Sequence, residues 1–196
     1  MDADFIAELA VNGALTGLLY SLFALGLVLI YKSSSVPNLA QGALTMLGAY
    51  LVLALSRGAG LPLWFGILAA GALMFLLGFA IEKLTLRRMA GRPVVMILMM
   101  TLGLDIFLRG TTLSIWGGSA RSMELGVSYD PLFLGPLLLS RINLVGAVTA
   151  LAFFAVLLLF FRTRLGIRLR AISDDYIASW SVGISVERGI GLSWGL

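Results

Sequence analysis

Apolar residues run through this chain in long unbroken stretches instead of alternating with polar ones. Residues 9–31, 33–56, 58–81 and 142–161 contain no Asp, Glu, Lys or Arg. Each reaches the roughly 20 residues that an α-helix needs to cross about 30 Å of hydrocarbon. A fifth stretch, 93–116, has the same length but carries Asp105 and Arg109. The pattern predicts an all-α, polytopic transmembrane helical bundle. A buried helix of a soluble core would have to recur five times to give the same text, so that alternative is set aside.

Composition sharpens this picture. Of 196 residues, 60% are hydrophobic and 12% charged, about half the charged share of a soluble domain. Mean hydropathy is +1.01. Cysteine and histidine are both absent, which excludes disulfides, thiolate or imidazole metal sites and serine–histidine catalysis. No catalytic residue and no metal are expected. The first apolar run is too long for a signal peptide and its flank (Asp2, Asp4, Glu8) is acidic, so it reads as a retained first span.

The net charge of +4 is not a nucleic-acid signal, because the charges fall at membrane boundaries. With the N-terminus outside, the inner connections hold Lys32, Lys83, Arg87, Arg88, Arg92, Arg162, Arg164, Arg168, Arg170 and Arg188. Only Arg57, Arg109, Arg121 and Arg141 fall on the outside or at its edge. The positive-inside rule therefore places the N-terminus outside. Residues 57–62 form a short outer turn, and 117–141 is the longest external loop, with Pro131 and Pro136 opposing a continuous helix. Residues 162–188 are cytoplasmic. The last eight residues, 189–196, begin another apolar run of about 12 Å. The expectation is five full spans plus the start of a sixth, cut short.

Within the cytoplasmic stretch, Ser173 followed by Asp174 and Asp175 predicts a helix N-terminus, because carboxylates there meet the positive end of the helix dipole. The helix would run over 174–182 and stop at Gly183, with Ile177, Trp180 and Ser181 on one side. Flanked by arginines, it reads either as a docking surface for a cytoplasmic partner or as a helix on anionic headgroups. In the fifth stretch, Asp105 lies about 18 Å from Pro93, near the midplane, where a carboxylate costs about 2.5–3.5 kcal/mol. Arg109, at i+4, can bridge to it. Thr101 and Thr112 share that side, so the stripe faces either a solute pathway or a neighbouring helix. For the charged pair, the packing role is the expected one. Pro37 breaks the helix before Asn38 and Gln41, leaving amides and free N–H groups that suit a carboxylate-bearing solute or merely cap a helix. Gly13, Gly17 and Ser21 make a small-residue packing face. Met96, Met99 and Met100 read as core or lipid-facing. No Gly-x-x-x-x-Gly-Lys-Ser/Thr run occurs anywhere.

Several segments carry a more specific likeness. Leu169-Arg170-Ala171, Asp174, Asp175, Ala178, Gly183-Ile184, Val186 and Arg188 resemble the coupling segment of the branched-chain amino acid permeases of ABC importers. Asn12-Gly13 with Tyr20 and Ala24-Leu25-Gly26 resembles that family's first span. Asn38-Leu-Ala-Gln41-Gly42 with Met46 and Gly48-Ala-Tyr50 resembles its Asn-Phe-Ala-His-Gly signature. Glu82-Lys83, Leu86-Arg87, Gly91-Arg-Pro93, Thr101, Gly103-Leu104, Gly118-Ser119 and Arg121-Ser122 also match. The departures are Gln41 for the family's His and Ala43 for an acidic residue. The resemblance implies one permease domain over 1–196, without cofactor or ATPase site of its own. It implies a second, related permease subunit, two cytoplasmic ATPase subunits and an external solute-binding protein. On this likeness Arg170, Ala171, Asp174, Asp175, Ala178 and Gly183 couple to the ATPases, while Asn38, Gln41, Gly42, Thr101 and Asp105 border the solute pathway. Competing readings are a permease for urea, short amides or other amino acids, an ion-coupled secondary transporter using Asp105, and an intramembrane aspartyl hydrolase. The last lacks a second carboxylate.

Overall fold

The computed structural model describes residues 3–34, 36–89, 92–119, 121–122, 130–134, 137–174, 179, 181 and 194. Helix α1 (Ala3–Ser34) precedes a non-helical segment, 36–40, and α2 (Gln41–Leu53), which ends in a π-helical turn (Ala54–Gly58). Helix α3 (Leu63–Ile81) continues through a second π turn (Glu82–Leu86) into α4 (Arg87–Met89). Then come α5 (Val94–Trp116), the strands β1 (Leu132–Leu134) and β2 (Leu137–Leu139), α6 (Arg141–Arg162) and α7 (Arg164–Asp174). Among the described residues four helices are long and apolar enough to cross a membrane: Phe5–Tyr31, Leu63–Met89, Val94–Trp116 and Arg141–Arg162.

The second predicted span differs from its expectation. Ser33 and Ser34 end α1, and the chain does not regain helix until Gln41. The reason is Pro37, which cannot donate to a helical ladder and drives its predecessor out of helical geometry. Prolines also set the start of two other helices. Pro62 and Pro93 stand at the N-caps of α3 and α5 with ψ of 142° and 143°, extended values that a helix cannot contain. Gly117, at φ 82°, ends α5.

The bundle is all-α as expected. Within the loop expected to be external, 132–134 and 137–139 pair as a small antiparallel hairpin, Leu132 with Leu139 and Leu134 with Leu137. The Leu-Phe-Leu and Leu-Leu-Leu runs are too short for a helix, and a single Gly-Pro between them favours a reversal.

The described chain divides into two compact units. In Met1–Leu25 with Glu124–Leu165, α1 is tied to the hairpin and to α6 through polar side chains. Asn12 Nδ2 donates to the Leu138 carbonyl at 2.9 Å, and its Oδ1 accepts from the Ser140 N–H at 3.1 Å. Glu8 accepts from the Leu138 N–H, and Asn143 Nδ2 donates to Thr16 Oγ1. The free edge of a two-stranded sheet is thus satisfied by side chains of a helix. Further along, α6 comes so near α1 that a Cβ on Gly146 would lie 2.6 Å from Leu19 Cδ2. Gly13 and Gly17, by contrast, have no atom of the described residues within that 4 Å reach, so the expected small-residue face is not packed by the described residues.

In Gly26–Met123 with Gly166–Leu196, α2 packs against α3 and α5. Ile30, Ile81, Leu86 and Trp194 form a core, flanked by Leu44, Leu77 and Met100. Met96 and Met99 are exposed. Glu82, 2% exposed, receives both Arg87 Nε (3.2 Å) and Nη2 (3.1 Å). The i,i+5 spacing faces these side chains together because the π turn winds wider than an α-helix.

Replacing Asn12 by Leu removes both long-range bonds and orphans the Leu138 carbonyl and Ser140 N–H. The expected cost is about 2–3 kcal/mol, read as a lowered unfolding temperature in detergent; an unchanged midpoint would show that the network carries no stability.

Candidate functional site

The break before α2 lies deep along its neighbour α5. A Cβ on Gly42 would stand 3.1 Å from Arg109 Nη2, and Arg109 is about 24 Å along α5 from Pro93. Higher up, the rings of Tyr50 and Trp116 meet with centroids 5.5 Å apart. Helices α2 and α5 therefore run side by side, but α2 begins only alongside the C-terminal half of α5. Its N-terminus opens within the depth that α5 spans.

Three buried residues line the approach. Val36, Asn38 and Ala40 are 5%, 0% and 0% exposed. Asn38 Oδ1 accepts the Ala40 N–H at 3.0 Å, and its carbonyl accepts from Gln41 N at 3.3 Å. This is the local turn that an Asn side chain makes in place of a backbone bond. The other half of the amide, Nδ2, is buried without a partner among the described residues. A donor left so costs about 1–3 kcal/mol, which points to a group that binds something else. Leu44 N closes the first turn of α2 onto the Ala40 carbonyl at 3.0 Å. A helix start of this kind attracts negative charge.

Above it, Arg109 Nε donates to Asp105 Oδ2 at 2.7 Å. The i,i+4 bridge expected from the sequence is present. The Arg109 side chain is 51% and the Asp105 side chain 17% exposed, and Asp105 Oδ1 is buried without a partner among the described residues. Thr101 and Thr112 lie on the same helix, 1% and 0% exposed. Their hydroxyls turn back to the carbonyls of Leu98 and Leu108, so both are already satisfied.

Gln41 faces another direction. It borders a cavity of about 240 Å³ with Gly26, Ile30, Thr45, Met74 and Trp194. A Cβ on Gly26 would lie 2.6 Å from Gln41 Nε2, so the glycine on α1 makes room for the amide. Trp194 Nε1, like Asn38 Nδ2, is buried and unpartnered. The sequence likeness had brought in Gly26 only as part of a first-span motif; its use against Gln41 required the fold.

The segment expected to couple to the ATPases is partly described. The expected helix start at Ser173 is overturned: α7 covers Arg164–Asp174, so Ser173 and Asp174 lie inside it. The break falls earlier, at Thr163, whose extended backbone separates α6 from α7. Gly166, Leu169 and Ile172 are buried at spacing three, while Ile167, Arg168 and Arg170 are exposed and Ala171 is half-buried, the face of an amphipathic helix. Ser179 is buried and Ser181 exposed. Asp175, Ala178 and Gly183, and with them the expected stop, lie outside the described residues.

A bundle of long apolar helices with one helix broken among them defines a multi-pass integral membrane protein of the transport type. The comparisons make this particular. Over residues 9–196 the chain matches the family described as branched-chain amino acid transport system, permease component, and it belongs to that family. It is 31% identical over 188 residues to the probable branched-chain amino acid transport permease protein LivH of Methanocaldococcus jannaschii, covering 88% of this chain and 56% of that one. Against the high-affinity branched-chain amino acid transport system permease protein BraD of Pseudomonas aeruginosa the identity is 26%, with 94% and 64% covered. For LivH of Escherichia coli K12 it is 25%, with 93% and 64%. The chain thus spans a little over half to about two-thirds of these relatives' length. No solved structure matches it.

Gly26→Ala pushes on the far end of a flexible side chain, so the protein should fold within about 0.5 kcal/mol of the parent while Gln41 is displaced. Gly26→Ala and Gln41→Ala are then both expected to lower solute uptake by the complete transporter. Full uptake in the first beside impaired uptake in the second would contradict the assignment.

Proposed function

We propose that this chain is the membrane-spanning permease subunit of an ATP-driven ABC importer for branched-chain amino acids in the bacterial cytoplasmic membrane. Its family membership supports the class, and the fully buried Asn38 at the start of a broken helix, whose Nδ2 has no partner among the described residues, carries the site. Asn38 and Gly42 bring donors to the solute carboxylate, Gln41 lines the adjoining cavity, and Thr101 and Asp105 lie along the same pathway. Of these, Thr101 contributes through packing, because its hydroxyl is occupied.

The topology is five spans and the start of a sixth with the N-terminus outside, α2 with its approach segment serving as the second span. Charge placement supports this orientation. It sets residues 117–141 outside, where a solute-binding protein delivers its cargo, and 162–188 inside. With no phosphate-binding loop in the sequence, ATP is hydrolysed by two partner subunits, and a second related permease completes the pathway. The ATPases engage the segment holding Arg170, Ala171, Asp174, Asp175, Ala178 and Gly183, and their closure reorients the spans. The exposed Ile167 and arginines of α7 support a protein-binding surface there.

The double variant Arg170→Ala, Asp175→Ala, in the complete transporter, should lose most ATP-dependent leucine uptake at an unchanged level in the membrane. Full uptake at parental ATP consumption would contradict the coupling role.

A further inference from the structure

The Asp105–Arg109 bridge is incomplete in a particular way. Guanidinium and carboxylate can pair through two parallel N–H···O bonds, as Arg87 and Glu82 do in this protein. Arg109 instead uses Nε alone. That leaves its Nη groups over Gly42, at the open end of α2, on a side chain 51% exposed. It also leaves Asp105 Oδ1 buried with no donor. A pair whose only task was to hold helices together would not strand a carboxylate oxygen in a buried place.

The unused groups are therefore of two kinds, held one helical turn apart. Around the start of α2 stand donors: Arg109 Nη2, the Gly42 N–H of the first helical turn, and buried Asn38 Nδ2. On Asp105 stands an acceptor that carries negative charge. A ligand that satisfies both needs an anionic and a cationic group on neighbouring atoms. Such a ligand adds no net charge to a neutral pair, which matters where unbalanced charge is costly.

We propose that Asp105 and Arg109 read the two charges of an α-amino acid. Arg109 Nη2, with Gly42 N–H and Asn38 Nδ2, takes the carboxylate, and Asp105 Oδ1 takes the ammonium group. Both are specificity-determining residues, and Gly42 leaves the guanidinium room, since a Cβ there would stand 3.1 Å from Nη2. The assignment rests on the permease reading above and adds to it how the solute is told apart from its analogues.

The test uses the complete transporter in proteoliposomes with ATP inside, measuring leucine uptake and its competition by 4-methylpentanoate, which lacks the ammonium group, and by isopentylamine, which lacks the carboxylate. Asp105→Asn is expected to weaken leucine by about tenfold or more while leaving 4-methylpentanoate where it was, and Arg109→Gln to weaken leucine while leaving isopentylamine where it was. Should either variant fail to reach the membrane, Asp105→Glu and Arg109→Lys carry the same comparison, each shifting leucine and sparing the analogue without the matching charge. Equal losses for leucine and both analogues, or near-normal leucine uptake by the double variant Asp105→Asn, Arg109→Gln, would overturn the assignment and leave a packing pair. A parent transporter that imports no aliphatic amino acid would instead sink the permease reading, and this proposal with it.

Discussion

Inside a bilayer no water is at hand, so every backbone N–H and C=O must be answered by the protein itself. Helices answer that demand internally except at their ends, and among the described residues four are long and apolar enough to span a membrane. The segment between α1 and α2 does not. Pro37 has no N–H to donate and breaks the ladder, and Asn38 Oδ1 stands in for a backbone carbonyl by accepting the Ala40 N–H. Burial of Val36, Asn38 and Ala40 keeps the exposed backbone against protein. The broken start of α2 exists because this substitution works, and the site exists because α2 starts there.

Much of the fold was legible in the chain. Charge-free runs marked α1, α3 and α6, and Pro62, Pro93 and Gly117 marked where helices begin and end. Pro37 announced the break, but not its depth. Depth depends on which residue of α5 lies beside Gly42, and a contact between residues 42 and 109 leaves no periodic trace in a single sequence. The hairpin was missed for a related reason. Its stability comes from Asn12 and Glu8 on a distant helix, whereas local pattern in 132–139 is only leucine.

The candidate residues show the same divide. The i,i+4 spacing of Asp105 and Arg109 predicts their bridge, because helix geometry alone brings them together. That the bridge uses one bond and strands an oxygen depends on surroundings the spacing does not encode. The start of α7 was displaced because Ser173 with two aspartates is a strong local capping signal, yet the Gly166, Leu169, Ile172 face buries apolar surface and holds the helix one turn and more upstream. Local preference yields to tertiary burial in such cases.

The account's central claim is that α2 begins within the membrane, level with Arg109. Because the chain has no native cysteine, single nitroxide labels can be placed at positions 42, 93 and 109 and their immersion depths read in liposomes from relative collision rates with oxygen and a water-soluble nickel chelate. The labels at 42 and 109 should report the same depth, well removed from that at 93. A label at 42 as accessible to the chelate as the one at 93 would place the start of α2 at the inner surface and contradict the account.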